Sequence, residues 1–406
     1  MDKLRKLVRK PGVLSFLSSV TAIIMGLILG YFLLRIFNPA KASDGFVKLI
    51  TTGFSAPDKF GRLLYVAAPI LMTGLSVGFA FKTGLFNIGA SGQYLIGALF
   101  ALIGALVFKW PWWACLLLSM LGGAIWGVFP GIFKAFFNVN EVITSIMFNW
   151  IGLFTMNLVI SNIPQMLANY YGANVNNRTP LLGHANTSAI LPAAGLNELL
   201  GTIFANIGFF LALGFAVIIY FVLEKTVFGY EMKACGFNKN ASVYAGINAK
   251  RNIVLSMVIA GALSGAAGGI YYLSGISQYV IEKILPSAGF NGIPVALLAS
   301  SNPLGIIFSA LFIAYVQVGG DMLQPEYVKE TIDIIIAAII YLSAFSLLMR
   351  DIIRRLFEGR KAKREGVPPP DIPPAEPEAG ALAETVDSTG GDAETGKEAN
   401  ENGGHG

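Results

Sequence analysis

Nucleophilic and metal-ligating side chains are scarce in these 406 residues. The two histidines, His184 and His405, stand far apart, so they outline no metal cluster and no partnered base. Cys115 and Cys235 are likewise separated and outline no disulfide framework. The stretch GDAETGKE at 391–398 approaches a phosphate-binding loop. That loop needs Ser or Thr after its lysine and a strand–loop–helix setting, whereas Glu398 follows the lysine here. No nucleophile elbow or dinucleotide fingerprint appears in a usable context, so neither enzymatic activity nor a cofactor is expected of the chain itself.

Chemistry of another kind is offered by VGFAFKTGLFNIGASGQ, residues 77–93. Asn87, Ser91 and Gln93 supply hydrogen bonds without charge, which suits a neutral polar solute. Gly84, Gly89 and Gly92 let the chain turn and let a helix or a solute approach closely. The stretch AGFNGIPVALLASSNPLG at 288–305 has the same character, with Gly289, Asn291 and Gly292 followed by a Ser-Ser-Asn-Pro run. Both interrupt apolar sequence, so the elements around them decide what they can do.

Those elements are membrane helices. The chain is 54% hydrophobic and 13% charged, with a mean hydropathy of +0.63. Soluble domains carry about 25% charged residues. A spanning helix needs about 20 mostly apolar residues. Such runs lie at 13–37, 64–81, 91–108, 112–133, 142–160, 202–223, 252–273, 288–300, 303–319 and 332–349. The expected fold is an all-α polytopic membrane protein of about ten transmembrane helices, two of them short or broken. The first run is too long for a signal peptide and lacks a cleavage pattern, so it is expected to be retained.

Lysine and arginine set the orientation, because positive residues near span ends stay in the cytoplasm. MDKLRKLVRK carries five basic residues against one acidic, and RDIIRRLFEGRKAKR is heavily basic. The segments 161–201 and 319–331 hold only Arg178 and Lys329 between them as lysine or arginine. Lys41, Lys48, Lys59 and Arg62 argue the other way, partly offset by Asp44 and Asp58. The expected order is a basic cytoplasmic segment at 1–12, a transmembrane domain at 13–350, a basic juxtamembrane segment at 351–364 and a cytoplasmic tail at 365–406. The tail is rich in Pro, Glu, Ala and Gly and lacks aromatic residues, a composition that does not fold.

The central parts of the ten runs contain no Asp, Glu, Lys or Arg. Ion-driven carriers place such groups there as relays or ligands. A transporter built this way draws its energy from elsewhere. The loop at 229–247, GYEMKACGFNKNASVYAGI, has helix-forming pieces either side of Gly236 and ends at Gly246. It reads equally as a connecting loop and as a short helix presented to a soluble partner.

That loop with its following span, GYEMKACGFNKNASVYAGINAKRNIVLSMVIAGALSGAAGGI, resembles the coupling region of ABC-importer permeases of the branched-chain amino acid and simple-sugar group. LSVGFAFKTGLFNIGASGQYLIGAL, NVNEVITSIMFNWIG and GFNGIPVALLASSNPLGIIFSALF resemble the nucleoside branch of that group. The similarity covers roughly residues 60–350; the long tail departs from the compact ending of the family. The resemblance implies a permease subunit in the bacterial cytoplasmic membrane, paired with a second homologous permease. It also implies a cytoplasmic ATPase that binds the ATP, and an extracellular lipid-anchored substrate-binding protein. Contact with the ATPase is expected from Lys233, Ala234, Gly236, Asn238, Asn240, Tyr244 and Gly246.

Broken helices in transporters place freed backbone groups on the substrate path. Asn87, Gly89, Ser91, Gln93, Asn291 and Gly292 are therefore the expected path residues. Each glycine alone is also explained by tight helix packing. A nucleoside is the first expected substrate and a ribose-like sugar the second. An ATP-independent carrier, or a scaffold working through its tail, are the rival classes. Asn140 and Glu141 are expected to cap a span or to touch the ATPase, and 161–201 to dock the binding protein or simply to connect.

Overall fold

The computed structural model describes residues 11–345. Residues 1–10 of the basic N-terminal segment, the end of the run at 332–349, the basic segment 351–364 and the tail 365–406 lie outside the described residues. Within them the long helices are α1 (Pro11–Phe37), α2 (Ala42–Ser55), α3 (Pro57–Lys82), α4 (Ala90–Leu102), α5 (Trp112–Phe137) and α6 (Glu141–Asn162). After an intervening segment of short helices and turns, 163–207, come α7 (Gly208–Lys225), α8 (Val227–Phe237), α9 (Lys239–Tyr244) and α10 (Ala249–Leu273). Two short helices, α11 (Ser287–Phe290) and α12 (Gly292–Leu298), lead to α13 (Pro303–Asp321) and α14 (Lys329–Ala344). Among the described residues the only strand-like pairing is one antiparallel bridge, Arg178 with Val280.

Eight of these helices are long and apolar enough to cross a membrane, and the chain is a multi-pass, all-α membrane protein. The expected run at 288–300 is the broken pair α11–α12. The run expected from 202 begins as a helix only at Gly208, where Asn206 Oδ1 takes the first free backbone N–H at 2.8 Å. Conversely, 42–55 is helical although it reads as a loop. Its buried positions Ala42, Gly45, Leu49 and Gly53 lie on one face, and Leu49 O would meet a Cβ on Gly319 of α13 at 2.4 Å.

Helices α3, α4 and α10 are the most enclosed and α1 the least. Small residues let the enclosed helices touch by backbone, since lipid gives apolar side chains no reason to cluster. A Cβ on Gly265 of α10 would lie 2.4 Å from Ser119 O of α5, and one on Gly97 of α4 2.2 Å from Gly265 Cα. Around them Tyr94, Leu95, Leu102, Leu263 and Ala267 complete the core.

The ends of the bundle differ. Helices α8 and α9 join the end of α7 to the start of α10, beside the end of α3. At the opposite end, where α3 starts and α10 finishes, the intervening segment closes over: Leu191 N–H donates to Leu273 O at 2.8 Å.

Candidate functional site

The first interruption falls between α3 and α4. Gly84 turns the chain with φ +74°, a left-handed conformation that costs glycine nothing. Asn87, fully buried, then donates through Nδ2 to Ser76 Oγ (3.0 Å) and Gln93 Oε1 (2.8 Å), while Gln93 Nε2 donates back to Asn87 Oδ1 (3.2 Å). Ser76 Oγ also accepts from Ser264 Oγ at 2.9 Å and donates to Ala260 O at 2.6 Å, tying the amide pair to α10. The hydroxyls of Thr83 and Ser256 add a second link to α10. From the other side, Asn149 of α6 accepts the Gly92 N–H at 2.7 Å and donates to Ile88 O at 3.1 Å. Irregular backbone at membrane depth survives only when protein satisfies it in this way.

The second interruption packs directly on the first. Ser91 Oγ donates to Pro286 O at 3.1 Å, and Thr73 Oγ1 donates to Ala288 O at 3.0 Å. A Cβ on Gly289 would stand 2.3 Å from Ser91 Cα, and one on Gly292 2.6 Å from Thr73 O. Asn291 is half-buried at the start of α12. The structure thus brings Ser91 and Gly292 into one junction, and Asn87 and Gln93 into the polar cluster beside it. Gly89, buried at the start of α4, faces Ser145 Oγ, which would meet a Cβ there at 3.1 Å. Neither amide of the Asn87–Gln93 pair reaches solvent in this arrangement.

The loop at 229–247 is two helices with a bend between them. Thr226 Oγ1 caps α8 by accepting the Gly229 N–H at 3.0 Å, and Asn238 Oδ1 caps α9 by accepting that of Ala241 at 3.0 Å. The bend is therefore at Asn238, extended at φ −155°, and not at Gly236, which lies inside α8. Gly236 instead carries a contact: a Cβ there would stand 2.7 Å from Gly84 N. Lys233 pairs with Glu224 of α7 at 3.1 Å, and half-buried Ala234 lines a cleft of about 490 Å³ with Val227, Tyr230, Phe237 and Asn238. Phe237 and Tyr244 are 90% and 93% exposed, and Asn240 and Gly246 are exposed beside them.

A family described as "Branched-chain amino acid transport system / permease component" matches residues 60–344, which hold both interruptions and the α8–α9 loop. The chain belongs to that permease family. It is 34% identical to the guanosine ABC transporter permease protein NupP of Bacillus subtilis, over 82% of this chain and 94% of that one. It is 35% identical to the nucleoside ABC transporter permease protein NupB of Lactococcus lactis, over 81% and 90%. The guanosine ABC transporter permease protein NupQ of Bacillus subtilis is 26% identical, over 63% and 79%. These relatives are transporter subunits and not enzymes. No solved structure matches.

In this permease five ion pairs form among the described residues, several of them joining one helix to the next. Lys134 meets Glu141 at 2.9 Å where α5 turns into α6, and Asn140 Oδ1 caps α6 by accepting the Val142 N–H at 2.8 Å. Asn140 thus makes the expected cap, while Glu141, in the first turn of α6, is held by Lys134. At the opposite end Arg62 reaches Asp321 at 2.7 Å and Lys48 reaches Glu326 at 2.6 Å, and the hydrogen bond from Lys48 holds the Glu326 carboxyl below the usual carboxylate range. Ser76, Ser264, Thr73 and Asn149 were not among the expected site residues. Their signal was a lone polar side chain within an apolar run, which marks a buried hydrogen bond as readily as it marks a path.

Proposed function

We propose that the chain is the membrane subunit of an ATP-driven nucleoside importer in the bacterial cytoplasmic membrane. The observation that carries this is identity above 30%, along most of both lengths, to two permeases named for guanosine and nucleosides. NupP and NupQ are two different permease proteins of one organism that both match this chain. The importer accordingly pairs this subunit with a second, related permease. A cytoplasmic ATPase binds and hydrolyses ATP, and a lipid-anchored binding protein delivers the solute from outside. Both termini and the α8–α9 loop face the cytoplasm, in line with the basic residues of 1–12 and 351–364.

The two helix breaks form the wall of the path, with Asn87, Gly89, Ser91, Gln93, Asn291 and Gly292 at or beside it. The amides of Asn87 and Gln93 satisfy one another and are buried, which supports a wall that is closed to solvent at this point. Opening exchanges these bonds for bonds to an uncharged solute, which costs less than exposing a charge would. The ATPase drives the exchange through α8 and α9. Exposed Phe237 and Tyr244, with Asn238, Asn240 and Gly246, are its docking surface, and Gly236 passes movement to the turn at Gly84.

Uptake of labelled guanosine and uridine by cells carrying all the subunits tests the reading. Uptake that stops when the ATPase is inactivated is the expected result. Uptake that continues without ATP hydrolysis would make the protein a facilitator. Ribose uptake in place of nucleoside uptake would move the substrate to sugars.

A further inference from the structure

At the end of the bundle opposite α8 and α9, aromatic rings form a ladder that leads from the surface toward the breaks. Phe204 of the segment before α7 lies 5.5 Å from Tyr65 of α3, centroid to centroid. Tyr65 stacks on Tyr271 of α10 at 5.6 Å with the planes 27° apart. Tyr271 lies 6.5 Å from Tyr94 of α4, which adjoins Gln93 in the chain. The three outer rungs, Phe204, Tyr65 and Tyr271, are half-buried, while Tyr94 is buried.

The polar groups beside the ladder are uncharged or neutralised. The Tyr65 and Ser277 hydroxyls share a hydrogen bond of 2.6 Å, and a hydroxyl can both donate and accept. Arg62 sits 5.8 Å over the Phe204 ring, but its charge is matched by Asp321 at 2.7 Å. Rings also cluster between α5 and α6, around Trp126, Phe129 and Phe148, but of the two only the ladder carries hydroxyls among its rings and ends at Tyr94 beside Gln93. Exposed ring faces bind any nucleobase by stacking, because every base has a π face. Hydroxyls without a net charge suit a nucleoside better than a nucleotide, whose phosphates would call for unpaired cations.

We infer that Phe204, Tyr65 and Tyr271 form a stacking platform that receives the nucleobase before the solute reaches the breaks at Asn87, Ser91 and Gln93. The Tyr65 and Ser277 hydroxyls bond the polar edge of the base or its sugar. This rests on the nucleoside reading above and adds to it a place and a mode of recognition. The platform selects for the ring and not for which base it is.

The test uses the complete importer in membrane vesicles, energised with ATP and loaded with photoreactive azidoadenosine. Illumination is expected to label peptides containing Phe204, Tyr65 or Tyr271, and excess guanosine, but not excess ribose, is expected to prevent it. Guanosine uptake by Tyr65→Leu is expected to fall about tenfold, the loss of one base-stacking contact, and by Tyr65→Phe, which keeps the ring and loses only the hydroxyl's bond, to fall by less. If Tyr65→Leu does not assemble, Phe204→Leu on the outermost rung carries the same comparison. Labelling confined to other peptides, or leucine variants at normal membrane levels with unchanged uptake, would overturn the platform alone. An intact importer that moves no nucleoside would overturn the function first and the platform with it.

Discussion

Gly84 and Gly236 cross backbone to backbone: a Cβ on Gly84 would lie 2.6 Å from Gly236 Cα and 2.9 Å from its carbonyl oxygen. One of these residues ends the turn after α3, and the other sits near the end of α8. The interruption in the core and the surface loop are therefore neighbours without any side chain between them. A rigid contact of this kind transmits displacement, because packed atoms have no slack to absorb it.

Gly84→Ala meets both obstacles at once, a left-handed φ and an occupied volume. The variant is expected to lose about 1–3 kcal/mol of stability. A lower thermal midpoint of the purified protein, with the midpoint of Gly183→Ala unchanged as a control in open space, is the check.

Asn87→Leu strands the Gln93 amide and one bond to Ser76 in the core. A buried polar group left without its partner costs about 1–3 kcal/mol. Adding Gln93→Leu removes the stranded group, so the double variant is expected to be more stable than the sum of the two single losses predicts. Strict additivity in denaturation measurements would show that the reciprocal amide bonds contribute nothing as a pair.

Asn238→Ala removes the cap of α9 and is expected to cost that short helix about 0.5–2 kcal/mol. The effect should be local. Hydrogen exchange of 239–244 should quicken while that of α10 is unchanged, and nucleoside-dependent ATP hydrolysis should weaken.

The pair Lys48–Glu326 links α2 to the turn after α13. Its hydrogen bond lowers the folded-state pKa of Glu326 below the unfolded value, so its contribution is present above about pH 4.3. The contribution fades as pH falls through the folded-state value. Stability measured across the acid range should decline less steeply in Lys48→Met than in the unchanged protein.

Much of this was legible in the amino-acid sequence, and the remainder shows what single-chain patterns leave out. The apolar runs mark the long helices because a membrane demands about 20 such residues in a row. The interruptions at 77–93 and 288–305 stand out for the same reason. That Ser91 bonds to Pro286 is not written in either stretch, since contacts between residues so distant in the chain are fixed by packing. Helix α2 escaped notice because its buried face is mostly Ala and Gly, chosen to fit Tyr315, Tyr327 and the α13 backbone and not to look apolar. The bend in the loop was expected at Gly236, yet Asn238 makes it with its own side chain as a cap. Gly236 is small because Gly84 is beside it, which only the folded chain reveals.

The most direct test is Gly236→Ala in the complete importer, with guanosine uptake and ATP hydrolysis measured on the same vesicles. The added methyl group presses on the Gly84 backbone without touching the outward face of α8 and α9. Hydrolysis that continues while uptake falls severalfold is the predicted result, an engine running with its linkage displaced. Uptake and hydrolysis both unchanged at normal membrane levels would contradict the coupling of loop to break through this contact.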